Sequence, residues 1–218
     1  LNRDPKFSRI MMLHALRAYG LLEDGYVSNQ FPTHYRVKFD DTDNFFLKSI
    51  ERDVEAGMIP HMQVDELPRE VVQSIPNEGG TTNIIPLDQM ISSCYDLVPE
   101  TTTRYDMHGV LDQGVITDKI VRSLMFGKPF LVNGGPRVLE IIRGFGFNTC
   151  SYLFDEGYDM ESNFFLRMQK VVSNVQRWNG KHSEFMRVVE QNRESLKHNI
   201  DHVMNFPTED MIIQSLNL

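Results

Sequence analysis

Apolar residues near the start of the chain recur at helical spacing. Ile10, Leu13, Leu16 and Tyr19 share one stripe behind Ser8, whose hydroxyl suits an N-cap, and Gly20 offers the left-handed residue that ends a helix. The spacing predicts a helix over 8–19. Val27 opens a short extended piece, and in 29–43 Val37 and Phe39 alternate as in a strand. Phe46, Ile50 and Val54 predict a second helix over 45–56, and 67–75 reads as a shorter third. Residues 76–83 are turn-forming and nearly without apolar groups, which predicts a loop.

The pattern sharpens in the second half. Cys94-Tyr95-Asp96-Leu97-Val98 predicts a strand, followed over 99–113 by a polar run longer than a plain connection requires. Thr117 caps a helix whose apolar side is Ile120, Val121, Leu124 and Met125, with Gly127 as its stop. Phe130-Leu131-Val132 is continuously apolar, as in a parallel strand covered on both faces. Asn133-Gly134-Gly135-Pro136 then turns the chain, with Pro136 placed as the first residue of a helix that runs through Leu139 and Ile142 to Gly144. A further strand is expected around Phe147-Asn148-Thr149. In the tail, Phe164, Phe165, Met168, Val171, Val172, Val175 and Trp178 mark one helix, and a last one is expected from Ser183 to just before Pro207. Helix, strand, glycine turn, helix, strand is the rhythm of a doubly wound fold. The expectation is a Rossmann-like α/β domain over 1–160, a parallel sheet flanked by helices, with two long C-terminal helices over 161–218 packed on it.

Composition adds little to that picture and charge adds more. With 218 residues, 41% hydrophobic and 24% charged, the chain is ordinary globular material. It has neither a run of about 20 apolar residues nor a secretory signal pattern, so the expected setting is the cytoplasm, with no membrane partner. Leu1 in place of Met suggests that the natural chain starts earlier. Two cysteines, Cys94 and Cys150, are read as reduced thiols in apolar surroundings with no nucleophile signature. A net charge of -8 argues against a surface made to coat nucleic acid. Positive charge is nonetheless concentrated. Arg3, Lys6, Arg9 and Arg17 stand against Asp4 in 1–18, while Lys119, Arg122, Lys128, Arg137 and Arg143 stand against Asp118 and Glu140 in 116–143. Both stretches predict a local anion site, with chance clustering on solvated helix faces as the alternative.

The strongest candidate for that site is Thr117-Asp118-Lys119. A helix start offers unpaired amides and partial positive charge, to which Thr117 adds a hydroxyl and Lys119 an ammonium. The turn at Gly134 and Gly135 would bring further amides to the same sheet edge, where glycine lets backbone approach an anion. An ordinary capped helix beside an ordinary turn explains the same residues. Other patterns are weaker. Asp41-Thr42-Asp43 has the D-x-D form of metal-dependent glycosyltransferases but also that of a solvated turn. His198 and His202 have zinc-compatible spacing but no third ligand, so surface histidines are favoured and no metal is expected. Asp155, Glu156 and Asp159 suit either acid/base work or a structural role where a helix begins. A P-loop and a G-x-G-x-x-G are both missing, which disfavours an unrelated nucleotide-binding enzyme.

Taken in order, Ile116-Thr117-Asp118-Lys119, Gly127-Lys128-Pro129-Phe130-Leu131-Val132, and Leu139-Glu140-Ile141-Ile142-Arg143-Gly144-Phe145-Gly146-Phe147 resemble the C-terminal, donor-binding half of GT-B glycosyltransferases. The likeness is nearest to a phage and large-virus group, and it extends to Phe154-Asp155-Glu156-Gly157-Tyr158-Asp159 and to the opening Leu1-Asn2-Arg3-Asp4-Pro5-Lys6-Phe7-Ser8-Arg9. Tyr95 to Thr101 resembles the strand and Glu-bearing turn before the helix at Thr117. The chain departs at Asp118, where that group carries Glu.

The resemblance implies transfer of a sugar from a nucleotide sugar to an acceptor, without a metal or other cofactor. Arg3, Lys6, Arg9, Thr117, Lys119, Gly134 and Gly135 would hold the donor's phosphates. Glu100 and Asp118 would orient sugar or ribose hydroxyls, with Asp118, Lys119 and Glu100 as the candidate catalytic set. Fixed donors aimed at a departing phosphate stabilise the transition state, about 3 kcal/mol for one such group. A glycan or a modified DNA base would serve as acceptor, held before Leu1 or on another chain, and a viral protein would work in host cytoplasm. The alternative is a non-catalytic interaction or regulatory domain that keeps the fold.

Overall fold

The computed structural model describes residues 12, 15, 16, 19–21, 91–100 and 116–206. The chain divides into two compact units, Leu1–Ser93 and Cys94–Leu218. In the first unit Met12 and Ala15 are buried and helical, and Tyr19 N and Leu21 N donate to Ala15 O and Leu16 O. Gly20 turns left-handed at φ 64°, as expected for the residue that ends this helix. The predicted elements over 37–39, 45–56, 67–75 and 76–83 lie outside the described residues.

The second unit is mixed α/β and mostly helical. Strand β1 (Asp96–Pro99), helix α1 (Asp118–Met125) and strand β2 (Phe130–Asn133) form a βαβ unit. The strands pair in parallel, Asp96 opposite Phe130 and Pro99 opposite Asn133. This two-stranded pair is the sheet among the described residues. Every residue of β2 is buried, as its unbroken apolar run predicts. Ile120 and Leu124 of α1 are also buried, and Gly127 (φ 57°) stops α1. A Cβ on Gly127 would stand 2.6 Å from Ile200 Cδ1, so the stop is also where a later helix packs closely.

Helix α2 (Val138–Gly144) begins two residues later than expected. Pro136 is not its first residue. Arg137 instead adopts a left-handed conformation (φ 66°) at the N-cap and hands its N–H to Asp159 O at 2.7 Å. The left-handed residue after α2 is Gly146 (φ 86°), beyond Gly144.

No strand forms over 147–149. The amide of Asn199, buried on the last helix, occupies the place of a partner strand. Asn148 N–H donates to its Oδ1 at 2.8 Å, and its Nδ2 donates to Asn148 O at 2.9 Å. Asn174 treats Asp155 in the same way, accepting from its N–H at 2.7 Å and donating to its C=O at 2.9 Å.

A 3-10 turn (Glu156–Tyr158) precedes α3 (Phe164–Trp178), which carries the predicted apolar stripe. Where one helix was expected from Ser183 to Pro207 there are two, α4 (His182–Gln191) and α5 (Arg193–Met204). Asn192 breaks them apart, its Nδ2 donating to Val188 O at 2.9 Å, because an Asn side chain competes with the helix for backbone partners. Tyr95, Phe154, Trp178 and Phe185 close the core in edge and tilted ring contacts, and Trp178 Nε1 donates to Leu153 O. No helix among the described residues is long and apolar enough to cross a membrane.

Candidate functional site

Parallel strands that run side by side bring their following residues to one edge, and in open α/β sheets ligands bind outside the carboxyl ends of strands. Here that edge carries Glu100 after β1, Asn133 and Gly134 at the end of β2, and the start of α1. Glu100 is fully buried, and its N–H continues the ladder by donating to Asn133 O at 3.0 Å. Its carboxylate lies on the amino end of α1. Thr117 Oγ1 is 2.8 Å from both carboxylate oxygens, and Thr117 N–H donates to Oε1 at 3.3 Å. Lys119 Nζ stands 3.7 Å from Glu100 Oε2 and donates to Thr117 Oγ1 at 3.1 Å. Thr117 Oγ1 also accepts from Lys119 N–H, the capping role read from the sequence.

The structure therefore brings together three of the predicted residues, Glu100, Thr117 and Lys119, and adds an order to them. The anion at this helix start is the protein's own Glu100 carboxylate, favourably placed against the partial positive charge of the first turn. Being buried, Glu100 acts through Thr117 and Lys119. Lys119 is itself largely buried, its side chain 11% exposed, and Thr117 is the more exposed of the three. Its ammonium makes one hydrogen bond within the cluster, to Thr117 Oγ1, and stands beside Glu100 as an ion pair.

Gly134 is buried, and a Cβ there would press on Val132 Cγ1 at 3.3 Å and come into ordinary contact with Glu100 Cβ at 3.5 Å, so the turn lies close against Glu100. Gly135 is buried beside it. Asp118 opens α1. Arg3, Lys6 and Arg9 lie outside the described residues, as does Asp41-Thr42-Asp43. Strand alternation sets Asn133 on the opposite face from Val132 and Gly134. Its amide is buried, and neither Oδ1 nor Nδ2 has a partner. Sequence reading missed it because an Asn ending a β-strand looks like turn chemistry.

The second carboxylate cluster is structural. Asp159 accepts from the first amides of α2, Leu139 N–H at 3.0 Å and Glu140 N–H at 3.3 Å. Asp155 accepts from Gly157 N–H, and Glu156 binds Thr149 Oγ1 and the Arg143 guanidinium. Tyr158 Oη accepts from Val132 N–H at 3.3 Å. Asp155-Glu156-Gly157-Tyr158-Asp159 thus ties α2 and the strand to the turn before α3. His198 and His202 lie near carbonyls beyond the end of α2, Nε2 to Gly146 O at 2.9 Å and to Phe145 O at 2.7 Å. They act as C-terminal partners of that helix, and among the described residues no group of three His, Cys, Asp or Glu could hold a metal.

Burial pushes Glu156 above its ordinary range, against the pull of Thr149 and Arg143, and does the same to Asp159 against the α2 amides. A carboxyl raised in the folded state contributes stability that is complete below the unfolded value, about 4, and is lost as pH rises through the folded value. Glu156→Gln removes one titration and keeps an oxygen for Thr149. Melting curves should show the variant gaining on the parent as pH rises from about 4.5 to about 7.5. A gap between the two melting temperatures that stays constant, or moves the other way, refutes the raised carboxyl.

No family model, no curated protein and no solved structure matches the chain.

Proposed function

We propose that the carboxyl edge of β1 and β2 is the donor subsite of a glycosyltransferase. It takes a nucleoside diphosphate sugar and passes the sugar to an acceptor held elsewhere. One observation carries the reading, the Glu100–Thr117–Lys119 cluster set where the two parallel strands end and α1 begins. A buried carboxylate that fixes a lysine at a helix start provides an oriented cation beside backbone donors. That arrangement suits the charge gathering on a departing diphosphate. Lys119 meets a phosphate oxygen, Thr117 and the α1 amides flank it, and Glu100 is a positioning residue. Gly134 and Gly135 keep the neighbouring turn low enough for the ligand to approach. The order of short motifs that resembles GT-B donor halves points the same way, with Asp118 for a hydroxyl.

Calorimetric titration with UDP and GDP sugars tests this. One nucleotide should bind below the millimolar range, and Lys119→Met should weaken it at least tenfold, about 1.4 kcal/mol. If neither nucleotide binds above background, or the substitution in a protein that still melts cooperatively changes nothing, the donor subsite is refuted.

A second reading, an α/β interaction domain without activity, is favoured by the way Glu100, Thr117 and Lys119 satisfy one another. It predicts a stable fold that takes up no nucleotide sugar of either kind.

A further inference from the structure

The opposite, amino edge of the β1–β2 pair holds a second group of reactive side chains, which the donor subsite does not use. Cys94, two residues before β1, is a free and part-exposed thiol. Its Sγ is 3.1 Å from Nδ1 of His182, the first residue of α4. Lys128, two residues before β2, pairs with Asp96 at 3.8 Å and lies close enough for its charge to act on the thiol. A sulfur within hydrogen-bond reach of an imidazole is the pairing of nucleophile and base that activates thiols. Cys150 provides a contrast within the same unit. It is buried, free, and pushed by burial up to about 12. The 88-residue separation of Cys94 and His182 is why neither carried a signal in the sequence.

We propose that Cys94 is a thiol-modification site, its Sγ attacking a small-molecule disulfide while Nδ1 of His182 takes the thiol proton. A new S–S bond joins Cys94 to one sulfur of the disulfide as the original S–S bond breaks. The other half leaves as a thiolate and collects the proton from the His182 imidazolium. One disulfide is consumed, and one mixed disulfide and one thiol appear. Burial pushes the Cys94 thiol above its ordinary value, with Lys128 pulling the other way. At neutral pH its deprotonation therefore depends on the imidazole. This site is independent of the donor subsite, and its outcome leaves that reading untouched.

The test is intact-mass and peptide analysis of the whole folded chain incubated with oxidised glutathione. A single adduct should form, on Cys94, with Cys150 unmodified and no adduct in Cys94→Ser. His182→Gln should slow the reaction at least tenfold at about pH 7, and its rate should keep climbing above about pH 9, where an ordinary thiol is already thiolate. Should His182→Gln fail to fold, the pH profile of the unaltered protein decides. A rate that already rises with pH well below the range where an ordinary thiol ionises supports the pair, and a rise that begins only above about 8.5 overturns it. No adduct on the folded protein, equal labelling of Cys94 and Cys150, or equal rates in parent and His182→Gln would each overturn the proposal.

Discussion

Asn199→Ala should lower the stability of the unit Cys94–Leu218 by about 2 kcal/mol, from two hydrogen bonds each worth about 1. For a chain of this size that is a fall in melting temperature of about 4–8 °C. Asn199 is buried on α5, and its amide both accepts from and donates to the backbone of Asn148. Alanine removes both partners and opens a small void between α5 and the segment after α2. Asn199→Asp isolates the donor, because the carboxylate still accepts from Asn148 N–H but faces Asn148 O with no hydrogen to offer. It should cost at least as much as alanine. Asn148→Ala is the control. The side chain of Asn148 donates to Ser195 O only at 3.4 Å and at the surface, whereas its backbone carries the contact with Asn199. That change should stay within about 0.5 kcal/mol. Equal melting temperatures for Asn199→Ala and Asn148→Ala would show that the bracket does not hold the segment in place.

The same bracket explains where sequence reading worked and where it stopped. Local chemistry was legible. Thr117 as a cap, the apolar run of β2, the stops at Gly20 and Gly127, and the stripe of α3 each follow from residues within one turn or one strand. What failed depended on partners far along the chain. The segment 147–149 has strand-like residues, but a side chain 51 positions away satisfies it in place of a strand. The late start of α2 is set by Asp159, and Pro136 offers no hint of a left-handed Arg137 beyond it. The split between α4 and α5 rests on Asn192 turning its amide back on Val188, a competition that periodicity does not register. For the candidate site, helix-start chemistry named Thr117 and Lys119, and the resemblance named Glu100. The burial that makes Glu100 a positioning group emerged only once β1 and β2 were seen to pair.

Glu100→Ala should be the most damaging single change in the unit, about 3–5 kcal/mol, because removing one member of a buried ion pair strands the other. Lys119 would keep only the Thr117 hydroxyl at 3.1 Å, and Thr117 N–H would lose its acceptor at the start of α1. Urea unfolding would register a lower midpoint at unchanged slope. The double variant Glu100→Leu with Lys119→Met removes both charges at similar volume, and replacing such a pair by apolar groups is often neutral or stabilising. Most of the loss should therefore return. A double variant no more stable than Glu100→Ala would mean that the cost lies in the helix cap and not in the unpaired charge. The pair of variants also separates stability from function. The double variant keeps the fold but lacks the ammonium at the carboxyl edge, so a donor subsite should lose its nucleotide sugar in a protein that still unfolds cooperatively. A scaffold without activity has nothing there to lose, and in that case the double variant would behave as the parent does in every titration.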